Sequence, residues 1–182
     1  TGVSIDIPSK PSHFNVINLK NKINHKKIDI RNLNKLKKTI VKVKPDFVFH
    51  LAAQAIVKTS YTNPIYTWQT NTMGTLNVLE SLRTLGKKKC IVVIITSDKS
   101  YKNLELKRGY HEKDILGGKD PYSASKASAE LAIQSYISSF IDLKTTNLRI
   151  GIARAGNVIG GGDWSENRLI PDCVKSWSKN KK

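Results

Sequence analysis

Two uninterrupted apolar segments constrain the fold of this chain more than any other feature of its sequence. They are residues 46–53 (DFVFHLAA) and 90–95 (CIVVII), and a third strand is predicted at residues 147–153. Continuous apolar runs are typical of strands buried on both faces, as in parallel sheets. Segments with helical spacing of apolar residues lie between and after them, at residues 33–44, 63–85, 121–140 and 168–180. This alternation predicts right-handed βαβ units and an α/β fold with a doubly wound parallel sheet.

The first 27 residues are polar and rich in lysine and asparagine, which predicts a loop around a short helical turn. A short strand is predicted at residues 27–31. In doubly wound sheets, ligands bind outside the carboxyl ends of the strands. The unusual residue clusters of this chain fall at such ends: Asp29 and residues 51–54, 96–99 and 154–157. These clusters are therefore the candidate ligand-binding positions.

The charge balance raises the question of a nucleic-acid partner. The chain has 31 basic and 14 acidic residues and a net charge of +17, and basic surfaces of this strength are typical of nucleic-acid-binding proteins. However, only six of the basic residues are arginines, the residue type that reads phosphate and guanine bidentately, and the lysines are scattered over the sequence. We predict no nucleic-acid partner, and a basic α/β nucleic-acid-binding module remains the non-enzymatic alternative.

Cysteines and hydropathy bear on metal binding and location. Cys90 and Cys173 are too few for a disulfide framework, and neither they nor His50 and His111 show metal-ligand spacing, so no metal site is predicted. No apolar run approaches the roughly 18 residues that a membrane-spanning helix needs. With no signal-peptide pattern either, the expected location is the cytoplasm and no membrane partner is expected.

One helical segment brings a phenol and an ammonium group onto the same helix face. Tyr122 and Lys126 are four residues apart, so the cation can stabilise the phenolate and create a general base. Such pairs also occur by chance on helices. The context favours a catalytic role, because Ser97 ends a buried strand and its hydroxyl is suited to share a substrate proton with Tyr122.

Three longer segments extend this pattern: residues 96–101 (TSDKSY), 117–126 (GGKDPYSASK) and 154–164 (RAGNVIGGGDW). In this order, they resemble the nucleotide-sugar enzymes of the extended short-chain dehydrogenase/reductase family, in particular its CDP-glucose 4,6-dehydratase subgroup. The resemblance runs from about Ile28 to the end of the chain. It implies a Rossmann-like fold, a tightly held NAD that is regenerated in each cycle, and CDP-glucose or a similar nucleotide sugar as substrate. The implied hydro-lyase reaction yields a 4-keto-6-deoxy sugar, an early step towards deoxy-sugar polysaccharides.

The resemblance also implies a role for each catalytic candidate. Tyr122 takes the proton of the sugar 4-hydroxyl, Ser97 binds this hydroxyl and Lys126 holds the cofactor ribose. Asp98 is the candidate acid for the departing 6-hydroxyl, and Lys99 is the candidate base at C5. Because a lysine base must be partly neutral, we expect Lys99 to be buried beside Lys126. The alternative for Asp98 and Lys99 is a solvent-exposed ion pair.

Further residues resemble the cofactor and substrate contacts of the family. The cofactor candidates are Asp29, Ile30, Leu51, Ala52, Ala53, Gln54, Asn71 and Thr96, together with Tyr122 and Lys126, and the substrate candidates are Ser97, Asn157, Arg168 and Leu169. Asp29 has the alternative role of a helix N-cap, and the small residues after the strand that of a tight turn. Asn71 has the alternative of a surface helix residue, and Arg168 that of a solvated arginine.

The family begins with a strand and a Gly-x-x-Gly-x-x-Gly turn that binds the pyrophosphate at a helix N-terminus. Neither has a counterpart in this chain, and the family continues past the chain's last residue into a smaller domain. We therefore expect residues 1–182 to be one incomplete NAD(P)-binding domain, in which the substrate-binding part starts at about residue 157. Activity of the isolated chain is then not expected. Within enzymes, the alternative is an NAD-dependent epimerase or dehydratase acting on another nucleotide sugar.

A homodimer is expected from the two long helical segments, residues 63–85 and 121–140. Both carry apolar residues on more than one face: Trp68, Met73, Val78, Tyr136 and Ile137. Apolar surface in excess of what one core can bury favours pairing across a two-fold axis. The resemblance implies the same pairing of these two helices.

Overall fold

The computed structural model describes residues 1–5, 12–142 and 144–180. Pro8 and Pro11 lie outside the described residues. The chain divides into two compact units, one of residues 28–156 and one of residues 1–27 together with residues 157–182. Each unit is described by itself.

The unit of residues 28–156 is built on a three-stranded parallel sheet. Its strands are β3 (Phe47–His50), β4 (Cys90–Ile95) and β5 (Leu148–Ala153), in the order β3-β4-β5. Phe47 lies opposite Ile91 and Cys90 lies opposite Leu148, so the carboxyl ends of all three strands meet at one edge. The parallel α/β class predicted from the sequence is confirmed.

The helices of this unit are α2 (Leu33–Val43), α3 (Val57–Thr62), α4 (Pro64–Trp68), α5 (Gly74–Arg83) and α6 (Pro121–Phe140). Local sequence determines several of their ends. Asn32 caps α2 by accepting a hydrogen bond from the Lys35 amide, and Asp120 caps α6 in a reciprocal capping box with Ser123. Gly86, at a φ of +55°, follows the end of α5 as predicted, because this conformation favours glycine.

The core lies between the helices and one face of the sheet. Buried side chains from three helices and from the sheet form one cluster: Leu36, Ile40, Val78, Leu79, Leu82, Cys90, Val92, Ile94, Ile133 and Leu148. The prediction that residues 46–53 are buried on both faces is wrong. β3 lies at the edge of its sheet, and Phe47 and Phe49, which point away from this cluster, are 62% and 65% exposed.

Three predicted element bounds are corrected by the structure. The strand predicted at residues 27–31 is β2 (His25–Lys27), because the Asp29 carboxylate accepts a hydrogen bond from the Arg31 amide and closes a turn. The strand predicted to reach residue 53 ends at His50. The helix predicted at residues 63–85 consists of α4 and α5 joined by a π-helical turn, Gln69–Met73, and is preceded by α3.

The other unit contains β1 (Gly2–Ser4), paired in parallel with β2, and the short helix α1 (His13–Val16). The predicted helical turn is thus present, whereas β1 was not predicted in a segment so rich in polar residues. α7 (Leu169–Trp177) confirms the helix predicted at residues 168–180. In the described part of the chain, no helix is both long and apolar enough to span a bilayer.

Candidate active site

The carboxyl end of β4 forms the centre of the candidate site. Ser97 is buried and begins a single 3-10 turn, Asp98–Ser100. Its hydroxyl donates to the Asp98 carboxylate at 3.1 Å and accepts from the Lys99 amide at 3.2 Å. The Asp98 amide in turn donates to the carbonyl of Ala155 at 3.0 Å. The backbone of this turn is therefore bound to the segment that follows β5.

α6 brings Tyr122 and Lys126 to the same strand end. The Lys126 ammonium group donates to the carbonyl of Ile95 at 3.3 Å, two residues before Ser97. Tyr122 and Lys126 are 9% and 8% exposed. Burial lowers the pKa of Lys126 to about 8, and the nearby Glu130 carboxylate opposes this shift. The structure thus joins Lys126 to the strand end that carries Ser97, and α6, which also carries Tyr122, packs against the turn that follows Ser97.

Asp98 and Lys99 lie beside this group but point into solvent. Both are exposed, whereas the flanking Ser97 and Ser100 are buried. The expectation that Lys99 is buried beside Lys126 is therefore wrong, because the middle of the 3-10 turn projects outwards. The surface ion-pair alternative is not found either: within the described residues, no contact under 4 Å joins the Lys99 amine to the Asp98 carboxylate, which accepts from Ser97 instead.

A buried ion pair that the sequence analysis missed lies behind the site. Glu130 is fully buried, and the Arg154 guanidinium donates to its carboxylate at 2.6 and 2.9 Å. The Thr96 hydroxyl donates to the same carboxylate at 2.6 Å. Thr96, a predicted cofactor contact, therefore directs its hydroxyl into the protein. A signal existed, because Glu130 follows Lys126 by four residues on the buried helix face, where a carboxylate needs a partner.

Asn71 is a buried hydrogen-bonding residue of the π-helical turn, so its surface alternative is wrong. Its side-chain oxygen accepts from the Gln54 amide at 2.8 Å. Its amide group donates to the Gln54 carbonyl at 3.1 Å and to the Ser125 hydroxyl at 2.9 Å. Asn71 thereby joins the loop after β3 to α6. Its contact in α6, Ser125, lies between Tyr122 and Lys126 in the sequence.

The predicted cofactor turn, residues 51–54, follows β3 without regular structure. Leu51 and Ala52 are exposed and Ala53 is half-buried. Gln54 is buried, and its side-chain amide donates to the Thr67 hydroxyl at 2.9 Å. The first three residues thus present their surface to solvent, while the side chain of Gln54 holds the loop in place.

Asp29 forms a two-point ion pair with Arg31. The guanidinium donates to both carboxylate oxygens at 2.6 to 3.1 Å, and this hydrogen bonding lowers the pKa of Asp29. The N-cap alternative for Asp29 is wrong, since Asn32 caps α2. Ile30 is buried, and its carbonyl accepts from the Asn77 side chain at 2.9 Å.

A cleft of about 700 Å³ lies beside this ion pair. Its lining comes from the start of α2, the π-helical turn and α5: Asp29, Arg31, Asn32, Leu33, Asn34, Gln69, Met73 and Asn77. Six of these eight residues carry a carboxylate, guanidinium or amide group. The cleft can therefore both donate and accept hydrogen bonds.

No cluster of three or more His, Cys, Asp or Glu side chains in the described residues could hold a metal ion. His50 instead has a core position, with Nε2 at 3.0 Å from the Thr75 hydroxyl. Because that hydroxyl donates to the Asn71 carbonyl, the histidine nitrogen is the donor. Burial lowers the pKa of His50 to about 4 and keeps it neutral.

Comparison of the sequence with known protein families agrees with this geometry. Residues 9–155 match the profile of the GDP-mannose 4,6 dehydratase family. The chain belongs to this family. This membership confirms the resemblance to nucleotide-sugar dehydratases that the three conspicuous segments indicated.

Two curated dehydratases match most of the chain. The CDP-glucose 4,6-dehydratase of Salmonella typhimurium is 45% identical over 182 residues, which cover 98% of this chain and 50% of that protein. The dTDP-D-glucose 4,6-dehydratase of Dictyostelium discoideum is 35% identical over 149 residues, covering 78% of this chain and 33% of that protein. The chain therefore spans half, or less, of the length of these relatives.

Solved structures share the fold. A UDP-glucose 4-epimerase from Thermotoga maritima, solved with UDP-glucose, matches with a TM-score of 0.81 at 22% identity, over 99% of this chain and 56% of its own. RMD from Pseudomonas aeruginosa, complexed with NADPH, matches with a TM-score of 0.71 at 26% identity. This match covers 87% of the present chain and 50% of the RMD chain. These matches confirm the Rossmann-like fold.

Three of the four substrate candidates, Asn157, Arg168 and Leu169, belong to the unit formed by residues 1–27 and 157–182. Asn157 is exposed, and Leu169 is 72% exposed at the start of α7. Arg168 is half-buried, and its Nε lies 3.8 Å from the Asp163 carboxylate, so it is not the freely solvated arginine of the alternative.

Proposed function

We propose that the protein is a nucleotide-sugar 4,6-dehydratase that converts CDP-glucose to its 4-keto-6-deoxy product and water. The observation that carries this proposal is the bond of Lys126 to the carboxyl end of β4, where Ser97 lies. The same helix, α6, carries the buried Tyr122 and packs against the turn after Ser97. Asp98 and Lys99 follow immediately and are accessible to a substrate. The 45% identity to the Salmonella typhimurium protein supports CDP-glucose in particular.

Each step of the proposed reaction has a group of this chain to move its proton. The Tyr122 phenolate takes the proton of the 4-hydroxyl while Ser97 binds that oxygen, and C4 becomes a ketone. The ketone acidifies the C5 proton, which Lys99 removes as Asp98 protonates the departing 6-hydroxyl to release water. In the final reduction at C6, Lys99 returns a proton to C5 and the 4-keto group remains. Tyr122 then loses its proton to solvent and Asp98 regains one, which restores the starting protonation states.

The exposure of Lys99 bears directly on this scheme. Only a neutral amine can act as a base, and removal of water favours the neutral form of an amine. The bound sugar would have to cover Lys99 and displace its water for a neutral fraction to form. Lys99 is thus proposed as a base that becomes competent with substrate bound.

NAD is the proposed cofactor, and when bound it supplies the oxidation at C4 and the later reduction. The polar cleft beside Asp29 fits a nucleoside, because its volume lies within the usual range for small-molecule sites and its carboxylate can accept bonds from hydroxyl or amino groups. Lys126, with its three donor hydrogens, is proposed to hold the ribose. The proposal includes Leu51, Ala52 and Ala53 as the surface against which the dinucleotide lies.

The substrate-binding part is proposed to start at about residue 157, with Asn157, Arg168 and Leu169 contacting the nucleotide diphosphate. A guanidinium suits phosphate oxygens because it can donate two parallel hydrogen bonds. We also infer a cytoplasmic location, which the free thiols of Cys90 and Cys173 support.

A homodimer through α4, α5 and α6 remains a proposal, supported by a revised set of residues. Ile65, Trp68, Met73 and Leu131 are exposed apolar side chains of these helices. Val78, expected on the same surface, is instead buried in the core. Sedimentation at micromolar concentration tests the pairing, and an exclusively monomeric protein would contradict it.

The function is tested by incubating the protein, as its gene encodes it, with NAD and CDP-glucose in D₂O. The expected product is a 4-keto-6-deoxy sugar that carries deuterium from solvent at C5. Tyr122→Phe should form no ketone and no reduced nicotinamide, with a rate loss of about 10²–10⁴-fold. Equal turnover of dTDP-glucose or GDP-mannose would reassign the substrate. If no nucleotide sugar reacts, and duplex DNA binds with a steep salt dependence, the nucleic-acid alternative replaces the enzyme.

A further inference from the structure

Arg154 bridges two parts of the candidate site that carry different proton transfers. On one side, its guanidinium donates to the fully buried Glu130 of α6, the helix that carries Tyr122. On the other side, it lies 4.4 Å from the centre of the Tyr101 ring. Tyr101 directly follows the turn that contains Asp98. One cation therefore contacts both the helix of the phenol and the chain segment of the proposed acid.

The backbone on either side of Arg154 contacts the same segment. The carbonyl of Ala153 accepts from the Thr96 amide at 2.9 Å, and that of Ala155 accepts from the Asp98 amide at 3.0 Å. The start of the turn is therefore fixed by backbone hydrogen bonds. Its end is bound to residues 115–117 instead, since the Gly117 amide donates to the Ser100 carbonyl at 2.9 Å and the Lys102 amide donates to the Ile115 carbonyl at 2.8 Å. The Tyr101 ring on Arg154 is the side-chain contact that joins this end to the residue after β5.

The loop after the turn holds the Tyr101 ring in place. Tyr110 stacks on it, with ring centres 5.0 Å apart. The Tyr110 hydroxyl accepts from the Leu104 amide at 2.7 Å and donates to the Asn103 side chain at 3.1 Å. Tyr101 is therefore confined by its own loop as well as by the guanidinium.

We propose that Tyr101 is a positioning residue for the elimination step: through Arg154, it fixes the turn of Asp98 and Lys99 relative to Tyr122. This inference rests on the proposed dehydratase function. Loss of the ring leaves the contacts that hold α6 in place, namely the Glu130–Arg154 pair and the Lys126 bond to Ile95. Oxidation of the sugar should therefore survive the loss of Tyr101, and elimination should not.

The test compares Tyr101→Leu with Tyr101→Phe, which keeps a ring over the guanidinium. Phe140→Leu is the matched control, because Phe140 also lies under an arginine, Arg83, at the far end of α6. Three quantities are measured: amide hydrogen exchange of residues 98–101 without substrate, and both reduced nicotinamide and product after addition of CDP-glucose.

For Tyr101→Leu, we expect exchange at residues 98–101 to quicken about tenfold and product formation to fall about 10–10²-fold, with reduced nicotinamide accumulating. Tyr101→Phe should recover most of the rate, and Phe140→Leu should leave all three readouts near the wild type. If Tyr101→Leu does not fold, Tyr101→Met, which retains apolar volume without a ring, takes its place with the same expectations.

Wild-type rates for Tyr101→Leu, or equal losses of oxidation and elimination, would overturn the positioning role alone. A wild-type protein that neither reduces NAD nor dehydrates CDP-glucose would overturn the proposed function, and the role of Tyr101 in it as well. The two failures are distinguished by the wild-type protein itself.

Discussion

The Lys126 ammonium group lies 3.3 Å from the carbonyl oxygen of Ile95, which joins the buried start of α6 to the end of β4. A cation held there is partly desolvated, and desolvation is the main reason that its pKa falls from 10.5 to about 8. Between these two values, the unfolded chain binds a proton that the folded protein does not. The free energy of unfolding must therefore rise with pH in this window.

Lys126→Met tests this linkage. From pH 7 to pH 9.5, the Lys126 contribution to the free energy of unfolding should increase by about 2 kcal/mol. In the variant, this increase should be missing. The free energy of unfolding of the wild type minus that of the variant should therefore be larger at pH 9.5 than at pH 7. Urea unfolding at both pH values measures it, and parallel pH profiles would show that Lys126 titrates normally.

Lys99→Ala separates elimination from oxidation in the proposed reaction. Tyr122 and Ser97 are untouched, so the C4 ketone and the reduced nicotinamide should form and persist, and product formation should fall about 10²–10⁴-fold. The cofactor absorbance after addition of CDP-glucose is the measurement. Lys113→Ala, another exposed lysine of the following loop, is the control and should behave as the wild type. Normal turnover of Lys99→Ala would assign the C5 proton to a different base.

Glu130→Gln removes one charge from a buried ion pair and leaves Arg154 without its counter-ion. We expect the free energy of unfolding to fall by about 3–5 kcal/mol, since the cost of an uncompensated buried cation far exceeds the value of the pair. Glu80→Gln is the control. Its pair with Arg83 is partly exposed, so the loss should stay below about 1 kcal/mol. Similar losses in both variants would contradict the buried character of the Glu130 pair.

Gly118→Ala tests the close packing in front of α6. An added Cβ would lie 2.4 Å from the Ala124 nitrogen and 2.5 Å from the Ser123 carbonyl carbon. Because backbone atoms cannot move aside locally, α6 must shift at the turn that carries Tyr122, at a cost of about 1–3 kcal/mol. Gly109→Ala, whose Cβ meets nothing within 4 Å, should be neutral. Thermal unfolding of both variants decides between these expectations.

Sequence patterns predicted the elements whose signals are local. The bounds of β4 follow from an apolar run with polar residues at each end, and those of α6 follow from Asp120, Pro121 and an unbroken helical pattern. The strand predicted at residues 27–31 is found earlier in the chain, as β2, because the turn at Asp29 competes with a strand in a segment of high β propensity. The exposure of Phe47 was not predictable, since hydropathy does not reveal which face of a strand is covered.

The candidate site was predicted in its residue types more fully than in its contacts. The sequence indicated three of the candidates, Ser97, Tyr122 and Lys126, because each has a residue type suited to proton transfer and follows a predicted strand or lies near the start of a predicted helix. The pair of Glu130 and Arg154 joins residues 24 positions apart, and nothing in a single sequence selects that partner from six arginines. The outward direction of Lys99 depends on a 3-10 turn, whose geometry the residue types alone do not determine.

The π-helical turn at Gln69–Met73 sets the orientation of α5 relative to α4, and the candidate site depends on this orientation. An α-helix advances by about 100° per residue, so the wider turn rotates α5 relative to α4 and aims Asn71 inwards. Removal of one residue from this turn would restore a regular helix and carry Asn71 away from Gln54 and Ser125. The loop after β3, which carries the proposed cofactor surface, would then lose its connection to α6 although every side chain of the candidate site were still present. In this turn, the number of residues is therefore constrained as strongly as their identity.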